Sequence, residues 1–466
     1  VEQSVIFDLE LIKRYDKSGP RYTSYPTAVQ FHQDFGESRY RDIARATNAG
    51  SSPGQSARPL SLYFHIPFCD TVCFYCGCNK IATKDRSKAQ PYLDRVYREL
   101  ALQAELFDDA RMVDQLHWGG GTPTFISHEQ MRGLMAETRR HFRLHDDDAG
   151  EYSIEIDPRE VHGDTIRLLR ELGFNRMSLG AQDFEPLVQR AVNRIQSEEQ
   201  TFAVLEQARE QGFKSISIDL IYGLPLQTAA SFERTLDTVI AAGPDRLSIF
   251  NYAHLPELFK PQRRINEADL PPPAVKLDIL QMTIEKLAAA GYVYIGMDHF
   301  ARPDDELAIA QREQTLYRNF QGYSTHADCD LIGIGVTSIG KVGRSYSQNY
   351  KGIEEYYQAI DGGHLAVFRG VELDDDDVLR RDIISRLMCH FELNVNALER
   401  DYDLIFADYF AVELEALQTM QQDGLLEVSD QRIRVLPRGR LLIRNVCMVF
   451  DRYLREPSQQ RYSKVI

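Results

Sequence analysis

The chain has 466 residues, 43% of them hydrophobic and 26% charged, and a formal net charge of −15. That length exceeds one compact core of ordinary size, so a barrel-sized domain with a smaller companion is expected. The acidity disfavours nucleic acid or an anionic membrane as the main partner. No apolar run approaches the roughly 20 residues that cross a bilayer, and the opening VEQSVIFDLELIKRYDKSGP lacks the basic and apolar stretches of a secretory signal, so the expected compartment is the cytoplasm.

Residues 1–58 read as a polar arm ending in the turn-rich SSPGQSARP. Two prolines in SGPRYTSYPTA (18–28) exclude a helix interior there. Such an arm is expected to form no core of its own, so that deleting residues 1–36 leaves melting nearly unchanged. From residue 60 a rhythm begins, with β-rich runs at 60–68, 115–121, 152–158, 176–182, 215–223, 246–253 and 292–300. Helical periodicity falls between most of them, at 163–172, 198–211, 228–242 and 273–290. This alternation predicts an α/β fold, a parallel sheet with helices on its outer face. About six units, against the eight of a closed barrel, make it an open, partial β/α barrel over 59–368. From 369 to 466 a mostly α-helical domain is expected. The acidic run Asp374–Asp377 reads as the start of the helix DVLRRDIISRLMCHF. Further on, helix, Asp423-Gly424, two short strands and a helix outline a winged-helix-like module. Its Arg432, Arg434, Arg438 and Arg440 raise DNA binding, but the acidic chain favours a lid or packing domain.

Seven cysteines are too few, and odd, for a disulfide scaffold. Cys329, Cys389 and Cys447 lie among apolar neighbours and read as packed thiols. Cys69, Cys73, Cys76 and Cys78 fall together in HIPFCDTVCFYCGCNK, directly after a predicted strand. Cys-x3-Cys-x2-Cys puts three thiolates on one loop, suited to three irons of a [4Fe–4S] cubane. No cysteine stands at the spacing that closes a ferredoxin cluster, so one iron stays open for the amino and carboxylate groups of S-adenosylmethionine. A zinc site would call for a second ligand pair, which is missing at suitable spacing. His65 reads as a packed, hydrogen-bonded residue. The GGGTPT turn (Gly119–Thr124) lets backbone N–H groups approach a ligand and resembles the segment that meets the methionine amino group in radical S-adenosylmethionine (radical SAM) enzymes. Glu155, Gln182 and Asp219 stand at later strand ends and suggest a polar pocket for an adenosine and its ribose.

Taken together, SGPRYTSYPTA, YFHIPFCDTVCFYCGCNKI, LHWGGGTPT, SIEIDPRE, GFNRMSLGAQDF, IDLIYGLPLQT, NYAHLP, GMDHFARPDDEL and NFQGYST resemble the oxygen-independent coproporphyrinogen III oxidases over essentially the whole chain. The RYTSYPT arm and the Cys-Gly-Cys ending at Cys78 set that family apart from its haem-chaperone-like relatives. The resemblance implies oxidative decarboxylation of two propionates of coproporphyrinogen III to vinyl groups, giving protoporphyrinogen IX. It implies Cys69, Cys73 and Cys76 as cluster ligands, and Tyr63, Gly120, Glu155 and Ile339 as contacts to the S-adenosylmethionine at the cluster. A second S-adenosylmethionine is implied at Tyr75, Gly121, Thr122, Gln182, Arg194, Asp219 and Ala253. Cys78 is expected near the reacting groups as a catalytic residue and not as a ligand. Arg21, Arg263, Arg302 and Arg318 are candidates for the substrate's four carboxylates. The expected partners are coproporphyrinogen III, an electron donor and an electron acceptor, with no nucleic acid or membrane, and the chain acting as a monomer. The alternatives are another radical SAM reaction, a haem chaperone, and a DNA-binding regulator.

Overall fold

The strand at Leu60–Ile66 is buried at all but Tyr63, while Glu151–Ile156, Arg176–Gln182 and Ser215–Tyr222 alternate fully buried and half-buried side chains, with one face for packed helices and one more open face. The computed structural model describes residues 5–50, 56–326 and 329–455. The chain packs as two units: Phe31–Pro272 with Asp328–Glu372, and Val1–Gln30 with Pro273–Ala327 and Leu373–Ile466.

The first unit is the partial barrel. Its strands are β1 (Leu60–Ile66), β2 (Met112–Gly120), β3 (Glu151–Ile156), β4 (Arg176–Gln182), β5 (Ser215–Tyr222), β6 (Arg246–Asn251), β7 (Asp330–Ile334), β8 (Ile339–Val342), β9 (Ser345–Asn349) and β10 (Val367–Glu372). Along the sheet they run β6-β5-β4-β3-β2-β1-β7-β8-β9-β10. Pairing is parallel from β6 to β7 and antiparallel from β7 to β10. Helices α2 (Thr165–Glu171), α3 (Glu198–Glu210) and α4 (Ala229–Ala242) fall where the rhythm predicts them, while α1 (His128–His141) and the helix Ala89–Ala104 before it are not predicted. Ser127, Ser197 and Thr228 cap α1, α3 and α4 by accepting a backbone N–H from the first turn. The buried side of the sheet is aromatic: Trp118 sits edge-on to Phe174 at 4.8 Å between ring centroids and to Phe64 at 6.3 Å. The sequence pattern misses β7–β10, because LIGIGVTSIGKVG is too rich in glycine to read as alternating strands.

In the second unit, the run expected as a single strand at 292–300 is two short strands, Val293–Gly296 and His299–Ala301, paired antiparallel. Gly296 and Met297 reverse the chain there with φ of +147° and +54°. Helix Pro273–Ala289, expected in the barrel, groups with this unit too. Helix Asp375–His390 starts on a reciprocal cap between Asp374 and Asp377, which is where the acidic run is used. Beyond it come helix Ala411–Gln422, the paired strands Leu426–Val428 and Arg432–Val435, and helix Ile443–Val449, in the order read from the sequence.

The expectation for the N-terminal arm is overturned. Helix Leu9–Arg14 is capped by Asp8, and Leu11 and Tyr15 bury against Leu425 and Leu442. Tyr22 and Tyr25 are buried, and the Tyr22 hydroxyl donates to Asp451 at 2.9 Å. The arm is too polar to make a core alone. Its few apolar side chains complete one built more than 400 residues later in the chain, and local sequence cannot show that. Among the described residues no helix is long and apolar enough to cross a membrane.

Candidate active site

The cysteine loop is tied off at its base. Phe68 and Cys69 pair in parallel with Ile81 and Ala82, and Ile81 N donates to the Pro67 carbonyl at 2.7 Å. Its outer part is pinned to 192–193: Phe74 N donates to the Val192 carbonyl and Asn193 Nδ2 to the Val72 carbonyl, both at 2.9 Å. The loop therefore presents its thiols from a fixed backbone. Cys69 and Cys73 are buried, Cys76 is half-buried and Cys78 exposed. The remaining three, Cys329, Cys389 and Cys447, are buried, as packing residues would be.

Each ligand candidate has donors aimed at it. Thr122 Oγ1 donates to Cys69 Sγ at 3.5 Å, and Arg159 and Arg194 each reach Cys73 Sγ at 3.6 Å. Burial, with the neighbouring Cys76 and Cys73, pushes the Cys69 thiol up to about 11. Cys76 is pulled down to about 5, first by a hydrogen bond from Cys78 and then by Lys80, which outweigh its burial. Among the described residues no three His, Cys, Asp or Glu converge on one metal-ion position. Three thiols with cationic and hydroxyl donors around them thus fit a [4Fe–4S] cluster that keeps one iron open.

The open face of the sheet carries the polar residues. Tyr63 lies opposite His117 in the β1–β2 register, their rings stacked at 5.8 Å. The Tyr63 hydroxyl meets His65 Nδ1 at 3.1 Å, and His65 Nε2 meets the Asn79 carbonyl at 3.0 Å, so His65 is hydrogen-bonded within the site and holds the end of the cysteine loop. His117 bridges Ser153 at 2.6 Å and Glu155 at 3.4 Å. Glu155 also accepts the Gly120 N–H at 3.1 Å. Burial opposes ionisation of Glu155, but His117 and Gly120 outweigh it and hold the carboxyl below its usual range. The glycines are required: a Cβ at Gly120, whose φ is +114°, would lie 2.7 Å from the His65 ring, and one at Gly121 would lie 2.7 Å from the Phe68 carbonyl.

Further round the sheet, Arg194 donates to Asp157 at 3.0 Å and to the Gly180 carbonyl at 2.5 Å. A Cβ on Gly180 would lie within 3.0 Å of both Gln182 and Arg194, so these two side chains share its open side. Gln182 itself has φ +69°, where the β4–β5 register shifts. Asp219 accepts from Ser178 at 2.6 Å, and burial raises its carboxyl to about 6. Gln262 Nε2 ties Tyr75 to Ala253 through their carbonyls, at 2.9 and 3.3 Å. Ile339 opens β8, and its backbone lies against Gly333, which pairs with Tyr63. Two linked groups result: Tyr63, Gly120 and Glu155 around His65 and His117, and Gln182 with Arg194 beside Cys73. Asp219 stands one strand on. Sequence reasoning left out His117, Asp157, Arg159 and Lys80. The first three stand in LHWGGG and SIEIDPRE, segments it had marked for other residues.

A partial parallel barrel with a three-thiol loop after its first strand and a Gly-rich turn after its second defines a radical SAM protein. Residues 63–239 match the radical SAM superfamily, and residues 373–442 match the HemN C-terminal domain. The oxygen-independent coproporphyrinogen III oxidase of Pseudomonas aeruginosa is 53% identical over 463 residues, 99% of each chain. That of Escherichia coli is 53% identical over 466 residues, 100% of this chain and 99% of its own. The solved structure of Escherichia coli coproporphyrinogen III oxidase, a radical SAM enzyme, superposes with a TM-score of 0.91 at 52% identity, covering 97% of this chain and 100% of that one. The chain belongs to the oxygen-independent coproporphyrinogen III oxidase family.

Proposed function

We propose that the chain converts two propionate side chains of coproporphyrinogen III to vinyl groups without oxygen, giving protoporphyrinogen IX in haem biosynthesis. At each propionate the net change is loss of one β-carbon hydrogen atom, of CO2, and of one electron to an acceptor. A [4Fe–4S] cluster on Cys69, Cys73 and Cys76, with S-adenosylmethionine, supplies the 5′-deoxyadenosyl radical that takes the hydrogen atom. The chain's own residues bind and orient. Ionised Glu155, already an acceptor for Gly120 N–H, suits the amino group of the S-adenosylmethionine at the cluster, with Tyr63, Gly120 and Ile339 around it. Tyr75, Gly121, Thr122, Gln182, Arg194, Asp219 and Ala253 take a second S-adenosylmethionine, Asp219 accepting from ribose hydroxyls. Cys78 is a catalytic residue and not a ligand, and residues 369–466 serve as a packing domain and not as a DNA-binding one. The protein acts as a cytoplasmic monomer with a separate electron donor and acceptor, and its net charge of −15 argues against nucleic acid or anionic membrane as partner.

The observation that carries this reading is the rigid loop of three thiols set beside the Gly120–Glu155 hydrogen bond. The test is an anaerobic assay of the reconstituted protein with coproporphyrinogen III, S-adenosylmethionine and a reductant. Protoporphyrinogen IX is the expected product. Methylated product, or haem bound with no turnover, would overturn the reading.

A further inference from the structure

Four arginines stood out in the sequence as partners for substrate carboxylates, and the structure sorts them. Arg302 is exposed and pairs with Asp304 at 3.4 Å. Arg263 is exposed and donates to the Pro256 carbonyl at 3.0 Å. Arg318 differs. It sits on the short strand Tyr317–Asn319, with its guanidinium 5.0 Å from the centre of the Tyr323 ring. Its Nε and Nη1 are buried and meet no hydrogen-bond partner among the described residues. Two buried donors left without an acceptor are unfavourable, most of all on a charged group.

The surroundings are cationic. The Tyr317–Asn319 strand and helix Ile443–Val449 both pack on helix Asp375–His390. Arg444, buried on that last helix, donates Nε to the Pro20 carbonyl at 2.8 Å and Nη2 to the Gly19 carbonyl, which fixes the backbone leading directly into Arg21. Arg21 is paired with Asp298. Burial, together with the charges of Arg21 and Arg318, lowers Arg444 to about 9. All these residues lie in the unit made by Val1–Gln30, Pro273–Ala327 and Leu373–Ile466.

We propose that Arg318, backed by Arg21 and Arg444, forms a carboxylate site that holds a propionate of the substrate, an inference that rests on the tetrapyrrole reading of the function. The guanidinium presents two edges of paired donors, Nε with Nη2 and Nη1 with Nη2, and a carboxylate is the planar acceptor that matches either edge. The chemistry of the substrate asks for such a site. Two of its four propionates are not decarboxylated and stay charged through both turnovers, so they need partners wherever water is excluded.

The test is equilibrium binding of coproporphyrin III, the fluorescent oxidised tetracarboxylate, to the anaerobically reconstituted holoprotein with S-adenosylmethionine. Arg318→Gln should weaken binding by about ten- to a hundredfold, as loss of a charged hydrogen-bonded pair does. Arg318→Lys, which keeps the charge without the fork, should fall between, and it carries the comparison should Arg318→Gln not fold. Arg302→Gln should bind as wild type does. Coproporphyrin III tetramethyl ester, which has no carboxylate, should bind wild type and Arg318→Gln alike. Unchanged affinity for coproporphyrin III in both Arg318 variants would overturn the site, as would equal losses for acid and ester. Turnover of coproporphyrinogen III by wild type is measured separately: its absence, with the Arg318 effect on binding intact, sinks the activity and leaves the carboxylate site standing.

Discussion

Gly120 gives its backbone N–H to Glu155 across 3.1 Å, and this bond joins the Gly-rich turn after β2 to the polar end of β3. The same carboxylate lies 3.4 Å from His117 Nε2, so it has a second partner on the neighbouring strand. Glu155→Gln keeps the shape and removes the charge. We expect it to retain its iron and to weaken S-adenosylmethionine binding by about ten- to a hundredfold, the range for a hydrogen bond to a charged group. Gly120→Ala should do worse, because its Cβ meets the His65 ring at 2.7 Å in a φ that side chains rarely adopt. Iron content and the S-adenosylmethionine-induced change in the cluster's EPR spectrum measure both effects. Iron loss in Glu155→Gln would assign the residue to the cluster's support and not to the cofactor.

Cys69, Cys73 and Cys76 changed singly to Ala should each lose most of the cluster, against about four irons and four sulfides per wild-type chain. Cys78→Ser should behave otherwise. Cys78 is exposed and gives its hydrogen bond to Cys76, which fits a thiol that sits beside the proposed ligands. We expect Cys78→Ser to keep its iron and the EPR change while protoporphyrinogen formation drops at least about tenfold. Loss of iron would make Cys78 a ligand, and wild-type turnover would make it a surface thiol.

The barrel strands were legible from Leu60 to Asn251 because each is a short β-rich run bounded by turns, and from residue 163 onward the helices between them keep a helical period. The cysteine loop was legible because the spacing of its thiols is local. What the pattern could not show is non-local. Arg159 and Arg194 reach Cys73 from 86 and 121 residues away, and no run of sequence announces a donor to a sulfur. Arg444 was missed because it lies in the apolar LLIRNV, where its neighbours read as core. The arm was misjudged for the same reason, since its core partners are at the opposite end of the chain.

Deleting residues 1–30 strips Leu11, Ile12, Tyr15, Tyr22 and Tyr25 from the core of their unit. Removal of even one large buried aromatic side chain typically costs about 3–5 kcal/mol, so the deletion should unfold the unit outright. Tyr22→Phe is the milder probe. It removes the hydroxyl that donates to Asp451 at 2.9 Å and leaves the ring in place. A loss of about 1–3 kcal/mol is expected, the penalty for leaving a buried acceptor short of a donor. Thermal denaturation of the two variants checks this. A deletion variant that melts like wild type would restore the view of the arm as a separate polar segment.

Asp219 sets a pH dependence whose sign can be worked through. Burial raises its carboxyl to about 6 from an ordinary 3.8, with donors from Ser178 and Ser248 offsetting part of the rise and the charge of Glu155 adding to it. A raised carboxyl favours the folded state while it is protonated. Below about pH 4 it is neutral in both the folded and unfolded chains and carries no penalty. As pH rises through 6 it must ionise in a poorly hydrated position, and that part of the stability is lost. Asp219→Asn stays neutral throughout. In holoprotein without added S-adenosylmethionine, Asp219→Asn should therefore be more stable than wild type by about 1–3 kcal/mol at pH 8, and the gap should shrink towards pH 5. Added S-adenosylmethionine should narrow the gap at pH 8, because ribose hydroxyls would donate to the ionised carboxylate and give wild type a partner that the variant cannot match. Paired melting curves at the two pH values, with and without S-adenosylmethionine, decide it. A difference between Asp219→Asn and wild type that does not change with pH would remove Asp219 from the titrating groups of the site.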